Sequence, residues 1–414
     1  MPGATKHGPS LYSNRQSKNI ERVRNMKYNF DKTIERRGTG SGKWETYDKD
    51  VIPLWVADMD FAVAKEVQDA LLKRVEHGVF GYSAHTLPEL LETICVRTKK
   101  LYNWEISPEQ IIFFPGLGSA LNACCRAFGN PGDEVLIQPP IYFPFMDAIR
   151  NQNKSVNHAP LIRKDNTKHI EYEIDYAKLD ASINTNTKLF LLSNPHNPVG
   201  KMYSKDQLTK LATIAERNNL IICSDEIHCE LILGSKTHYP TAAISDDIAA
   251  RCITLMAPSK TFNLAGLSCG YAIIQNPDLM LQVREASAGI IPGVNVMGYT
   301  AALAAFQHGN IWLQQLLEYL SENRDYVIQY IDRHMTNIRT TRPEATYLMW
   351  LDCSQINIPD ANPQEFFLNK AKVAFSDGAM FGPGGDGFIR LNLACPRSVL
   401  ETALTRMHNA INKL

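Results

Sequence analysis

Three residues could do chemistry together. Asn197 stands in Ser193-Asn194-Pro195-His196-Asn197-Pro198-Val199-Gly200, Asp225 closes an apolar run, and Lys260 lies in Ala257-Pro258-Ser259-Lys260-Thr261-Phe262-Asn263. They follow one another at intervals of 28 and 35 residues. A lysine amine holds an aldehyde cofactor as a Schiff base and, once displaced by an amino acid, becomes the base that removes its α-proton. An aspartate against a pyridine nitrogen keeps that nitrogen protonated, so the ring absorbs the carbanion's electrons. An asparagine can donate a hydrogen bond to the ring's phenolic oxygen. In this order the residue types are those of a pyridoxal phosphate site. Singly, each has a commonplace reading: Ser-Lys pairs occur everywhere, Asn-Pro marks a turn, and Asp-Glu after an apolar run is a solvated strand end. Their order, their spacing and their shared position after predicted strands favour the functional reading.

The elements that must position them are legible as short apolar runs at 110–114, 134–138, 189–193, 220–224, 252–256 and 269–274. Such runs suit strands covered on both faces. They alternate with helix-period segments from about residue 70 to 275, which predicts an α/β domain with a mainly parallel sheet. Leu208, Leu211, Ala212 and Ala215 mark one crossover helix. Ligands of open α/β sheets sit outside the carboxyl ends of the strands. Gly116-Leu117-Gly118-Ser119 follows the first run and opens a helix, so its backbone N–H groups could hold a phosphate, or could form an ordinary glycine turn. Beyond Pro292 the pattern changes to long helical stretches, including 310–334, then a strand candidate at 345–352. Leu400, Ala403, Leu404, Met407 and Ile411 predict a terminal amphipathic helix.

A chain of 414 residues favours two domains sharing one site. The expected division is a polar, disordered tail over 1–25, a small domain from 26–70 and 311–414, and a large domain over 71–310. The tail is basic and poor in acids, so an organelle transit sequence is the other reading. Lys plus Arg equals Asp plus Glu at 43 each, which gives no reason to expect a nucleic acid or an anionic membrane as partner. Nine scattered cysteines without a CxxC pair suit thiols in a reducing compartment. No apolar stretch approaches the roughly 18 residues of a membrane span. A cytoplasmic protein is expected.

With those residues in place, the chain from Tyr28 to Leu414 resembles the fold type I pyridoxal phosphate enzymes of the aminotransferase class I/II superfamily, and within it the cystathionine β-lyase or cysteine-S-conjugate β-lyase branch of the MalY/PatB type. The motifs that carry the likeness are Arg36-Arg37-Gly38-Thr39-Gly40-Ser41 followed by Lys43-Trp44, Pro53-Leu54-Trp55-Val56-Ala57-Asp58-Met59-Asp60-Phe61, Asp225-Glu226-Ile227-His228, Ser259-Lys260-Thr261-Phe262-Asn263 and Phe388-Ile389-Arg390-Leu391-Asn392. The resemblance implies a mainly parallel, seven-stranded-type sheet flanked by helices, with a smaller α+β domain built from both chain ends. It implies that Lys260 bears the cofactor, Asp225 meets the pyridine nitrogen, and Asn197 and His228 reach the phenolic oxygen. Tyr142 would stack on the ring, and Leu117, Gly118 and Ser259 would join the phosphate site. Tyr82 would reach the phosphate across a homodimer interface. Arg390 would grip the substrate carboxylate, with Ala57 and Asn197 beside it. Two positions depart from the wider superfamily: Ala257 where a serine is frequent, and Ser268 where many transaminases place a phosphate-binding arginine.

The activity so implied is β-elimination from cystathionine or a related cysteine S-conjugate, giving a thiol, pyruvate and ammonia. Transamination needs the same lysine, aspartate and arginine and is the alternative within enzymes. A regulatory or binding protein on an enzyme scaffold is the reading from another class, and the retention of Lys260, Asp225 and Arg390 together argues against a purely non-catalytic role.

Overall fold

The computed structural model describes residues 28–84, 87–165, 169–358 and 362–414. The tail expected over 1–25 lies outside them. The short apolar runs become β1 Ile111–Phe114, β2 Glu134–Ile137, β4 Thr187–Ser193, β5 Ile221–Asp225, β6 Cys252–Met256 and β7 Gly270–Ile273. With β3, Ser155–His158, they form a seven-stranded sheet in the order β1-β7-β6-β5-β4-β2-β3. Neighbours from β3 to β6 are parallel, and β7 runs against both β1 and β6. β3 escaped the apolar pattern because Ser-Val-Asn-His sits at the sheet edge with no residue fully buried.

Burial explains why the inner strands read as unbroken apolar runs. In β4, Phe190 and Leu192 join the core on one face of the sheet while Leu189 and Leu191 join the core on the other. Each such side chain contributes about 1.5–3 kcal/mol as it leaves water. The crossover helix Lys205–Arg217 buries Leu208, Leu211, Ala212 and Ala215, as its period predicts, and Ser204 and Gln207 close its N-terminus as a capping box.

A second, four-stranded sheet is built from β8 Arg339–Thr340, β9 Leu348–Asp352, β10 Ser376–Asp377 and β11 Phe388–Asn392, in the order β8-β9-β11-β10 and antiparallel throughout. Leu316 and Leu320 from the helix Asn310–His334, and Leu404 and Met407 from the helix Arg397–Ile411, share a core with Trp350, Ile389 and Leu391 of this sheet. The segment Ile52–Pro53 joins the same region, pairing in parallel with Val373–Ala374. The strand expected from 345 begins only at Leu348. The residues before it run as a loop whose Glu344 N–H is taken by Gly200 and Thr346 N–H by Leu231.

All nine cysteines are free and eight are buried. Among the described residues, no helix is long and apolar enough to cross a membrane, and no group of three or more His, Cys, Asp or Glu side chains is placed to hold a metal ion.

Candidate active site

Asp225 is the last residue of β5 rather than the first of the following turn. The turn after it is anchored by Glu226, fully buried, whose carboxylate accepts from Ser224 Oγ at 2.8 Å, Thr241 N at 2.8 Å and His238 Nε2 at 2.7 Å. Asp225 itself is buried and, among the described residues, its carboxylate receives only the Ile227 N–H, at 3.2 Å. Burial, with the charge of Glu226 adding to it, pushes its carboxyl up to about 7, against the pull of the Ile227 N–H and Lys260. Three residues on, His228 is buried with its ring edge-on to Tyr347, and its Nδ1 has no hydrogen-bond partner among the described residues. Burial, then Lys260 and Arg390, hold it down to about 3, so the imidazole is neutral.

Lys260 lies in the short helix Pro258–Thr261 after β6, and its Nζ donates to the carbonyl oxygen of Ala57 at 2.6 Å. The same oxygen accepts the Tyr347 hydroxyl at 3.0 Å. Burial brings the amine down to about 8, with Arg390 acting the same way and Asp58 and Asp225 opposing. Ala57 is held by motifs distant in sequence. Asn392 Nδ2 donates to the carbonyls of Val56 and Asp58, both at 2.7 Å, and Asn263 Nδ2 donates to those of Met59 at 3.1 Å and Phe61 at 2.9 Å. Asp60 takes Arg36 at 2.7 Å, Lys43 at 2.9 Å and Trp44 Nε1 at 2.8 Å. The five motifs that carry the family likeness are thus linked around one strand end and one loop.

Arg390 comes from the middle of β11 and is buried at 3% exposure. Its guanidinium donates to Asn197 Oδ1 at 3.1 Å, Trp55 O at 3.1 Å and Ser376 Oγ at 3.2 Å, and lies 4.9 Å from the ring centre of Phe381. Its Nε has no partner among the described residues. Burial pulls it down to about 10. A buried cation without a carboxylate is costly, and a planar fork with a free N–H is suited to a carboxylate ligand.

The glycine segment turns where Gly116 takes φ +95°, and the helix Leu117–Ala127 starts at once, leaving N–H groups at its N-terminus. Among the described residues nothing lies within 4 Å of where a Cβ on Gly118 would stand, so the space beside this first turn is open. Ser259 neighbours Lys260 in its helix, Ala257 is buried just before it, and Ser268 takes φ +50°. Tyr142 is partly buried against Phe143 and Phe145, and burial raises its hydroxyl above the ordinary range, with Arg390 opposing and Asp225 adding to it.

Within one chain Tyr82 does not join them. Its side chain is fully exposed, beside exposed Val79 and Phe80, and it lines a different cavity with Pro292 and Tyr299.

Pyridoxal phosphate fits this donor set. Among the described residues, the buried Asp225 has no cation in hydrogen-bond contact, and the His228 and Arg390 nitrogens named above are buried without partners. Lys260 is half-buried, its amine drawn below the ordinary lysine range by desolvation, and the first turn of the helix Leu117–Ala127 has open space beside Gly118. The sequence profile of aminotransferases of class I and II matches residues 49–407. The chain belongs to the class I and II aminotransferase family. Within that family it is 37% identical over 395 residues to cystathionine beta-lyase PatB of Bacillus subtilis (strain 168), covering 93% of this chain and 100% of that one. It is 32% identical over 393 residues to protein MalY of Escherichia coli (strain K12), covering 93% and 99%. The PLP-bound C-S lyase from Staphylococcus hominis superposes with a TM-score of 0.88 at 33% identity, covering 94% of this chain and 99% of that one.

In this class I and II family member, sequence reasoning missed Tyr347, Ser376 and Phe381 as neighbours of Lys260 and Arg390. Tyr347 and Phe381 carry no motif, and Ser376 reaches Arg390 only because β10 pairs with β11. Asn263 and Asn392 belong to motifs visible in the sequence, but their role as carbonyl clamps is visible only in the fold. A side-chain amide that binds two carbonyls has no signature in one sequence.

Proposed function

We propose that this protein is a pyridoxal phosphate-dependent C–S β-lyase that cleaves cystathionine, or a related cysteine S-conjugate, to a thiol, pyruvate and ammonia. The observation that carries the proposal is the half-buried Lys260, its amine drawn down to about 8 by desolvation, held on Ala57 O and near enough to the buried Arg390 to feel its charge. Identity to PatB along nearly the whole chain supports the reaction type.

Bound pyridoxal phosphate supplies an electron sink for the α-carbanion. The chain's residues do the rest. Arg390, steadied by Asn197 and Ser376, takes the substrate α-carboxylate and turns the Cα–H bond toward Lys260. Lys260 Nζ removes and holds the α-proton. Asp225 retains the proton of the ring nitrogen, while Asn197 and the neutral His228 stand by the phenolic oxygen. Tyr142 would cover the ring face, and Leu117, Gly118 and Ser259 would hold the phosphate. The thiolate departs from Cβ, and hydrolysis of the remaining three-carbon fragment gives pyruvate and ammonia.

The working unit in this proposal is a homodimer, in which Tyr82, exposed in the single chain, meets the phosphate of the partner subunit. Residues 26–70 and 311–414 act as the smaller domain and 71–310 as the larger, and the free, buried thiols accord with a cytoplasmic protein. The test is an anaerobic single turnover of holoenzyme with cystathionine, with Lys260→Ala as control. Pyruvate and thiol in equal amounts, with the variant silent, are expected. Conversion of the cofactor to its amine form without thiol would mean a transaminase.

A further inference from the structure

A cleft of about 590 Å³ opens between the strand Glu171–Glu173 and the loops at 199–201, 233–236 and 341–344. None of Lys260, Asp225, His228 or Arg390 lines it. Its volume falls in the range of small-molecule sites, and buried Val199, Tyr172 and Leu233 contribute apolar surface.

Most of its charges are already matched. Lys236 pairs with Glu344, Arg342 with Asp325, and Arg324 with Asp325 and the carbonyls of Leu233 and Pro343. Two are left over among the described residues. The Lys201 ammonium is half-buried and makes no hydrogen bond or ion pair, with the Tyr203 ring 6.0 Å away. The Glu171 carboxylate on the facing strand is likewise unpaired, though near enough to act on Lys201. Burial draws the Lys201 ammonium below its ordinary range, against Glu344, Glu173 and Glu171. Desolvating a cation without a partner is unfavourable unless a ligand supplies one.

We propose that this cleft is a second ligand site that takes a small zwitterionic amino acid, its carboxylate on Lys201, its ammonium on Glu171 and its apolar side chain against Val199 and Leu233. The walls of the cleft are also the supports of the catalytic residues. Gly200 O accepts the N–H groups of Glu344 at 2.9 Å and Ala345 at 3.3 Å. Three residues before Gly200 stands Asn197, bonded to Arg390, and three after Glu344 stands Tyr347, bonded to Ala57 O. An occupant therefore bears on both sides of the Lys260 site, and the proposal does not depend on which reaction that site performs.

The test uses holoenzyme reduced with borohydride, so that Lys260 and cofactor are joined and amino acids cannot exchange there, titrated with L-methionine by calorimetry. Saturable binding is expected, weakened at least about tenfold in Lys201→Ala and in Glu171→Gln. Propionate and butylamine, each carrying one of the two charges, should bind far more weakly. Absence of saturable binding would overturn the proposal. So would equal affinity in both variants, which would place the amino acid on Arg390 instead. Glu171 is exposed, so Glu171→Gln keeps the test decisive should Lys201→Ala fail to fold.

Discussion

Lys260 Nζ lies 2.6 Å from the carbonyl oxygen of Ala57, 203 residues earlier in the chain. The amine is thus held at one point by a backbone dipole that Tyr347 also engages, at 3.0 Å. Burial favours the neutral amine, and the neutral amine is the nucleophile. Its value of about 8 lies below the ordinary lysine value, so protonation sets in as pH falls through about 8. Capture of pyridoxal phosphate by the cofactor-free protein should accelerate as pH rises through about 8 and then level. Stopped-flow absorbance reads this directly, and a flat profile from about pH 6 to about pH 10 would contradict the assigned environment.

Asp225 has the opposite sign. Its folded value of about 7 is above the ordinary 3.8, so the folded, cofactor-free protein keeps a proton that the unfolded chain releases between those values. That stability is whole below about pH 4 and is lost as pH rises through about 7. Asp225→Asn, neutral at every pH, escapes the loss. Without cofactor, its melting temperature relative to the parent should climb between about pH 4 and about pH 7 and then hold, an effect of at most a few kcal/mol. With cofactor it should lose affinity, since an amide cannot retain the ring proton. A constant difference across pH would show that Asp225 is already ionised in the folded chain.

Asn392 is fully buried, and its amide satisfies the carbonyls of Val56 and Asp58 and the N–H of Ala394. Asn392→Ala leaves these groups unpaired inside the protein. A loss of about 2–4 kcal/mol in unfolding free energy is expected, together with a fall in kcat because Ala57 O is no longer fixed beside Lys260. Denaturant melts and steady-state kinetics test the two parts separately.

Removal of the guanidinium at Arg390 should act mainly on substrate capture. Arg390→Lys keeps a charge but not the fork, and should raise KM by roughly tenfold to 100-fold. Arg390→Ala should lower kcat/KM by roughly 1,000-fold, about 4 kcal/mol. Unchanged KM in Arg390→Lys would move the carboxylate site elsewhere.

Gly200 has φ +72°, and a Cβ there would fall 2.4 Å from Pro343 Cβ and 2.8 Å from its Cα. Gly200→Ala meets both a strained backbone and an immovable neighbour, so a loss of about 2 kcal/mol or more is expected. A melting curve matching the parent would show that the two loops are not in contact.

The sequence by itself determined the type of the large sheet and its chemistry. Strands buried on both faces must be apolar throughout, so β4, β5 and β6 announced themselves, and residues after parallel strands share one crevice by the topology of the sheet. That Lys260, Asp225 and Asn197 stand near one another was legible for that reason. The polar edge strand β3 was not, because an edge needs no continuous apolar face. What only the tertiary structure decided is how separate segments support one another. A hydrogen bond from Asn392 to Val56 spans 336 positions, and the bond from Tyr347 to Ala57 spans 290. No local period encodes such pairs, since each depends on the packing of the four-stranded sheet against the loop at 55–61. The values near 7 and 8 at Asp225 and Lys260 belong to the same level, for they arise from burial, and burial is a property of the folded whole.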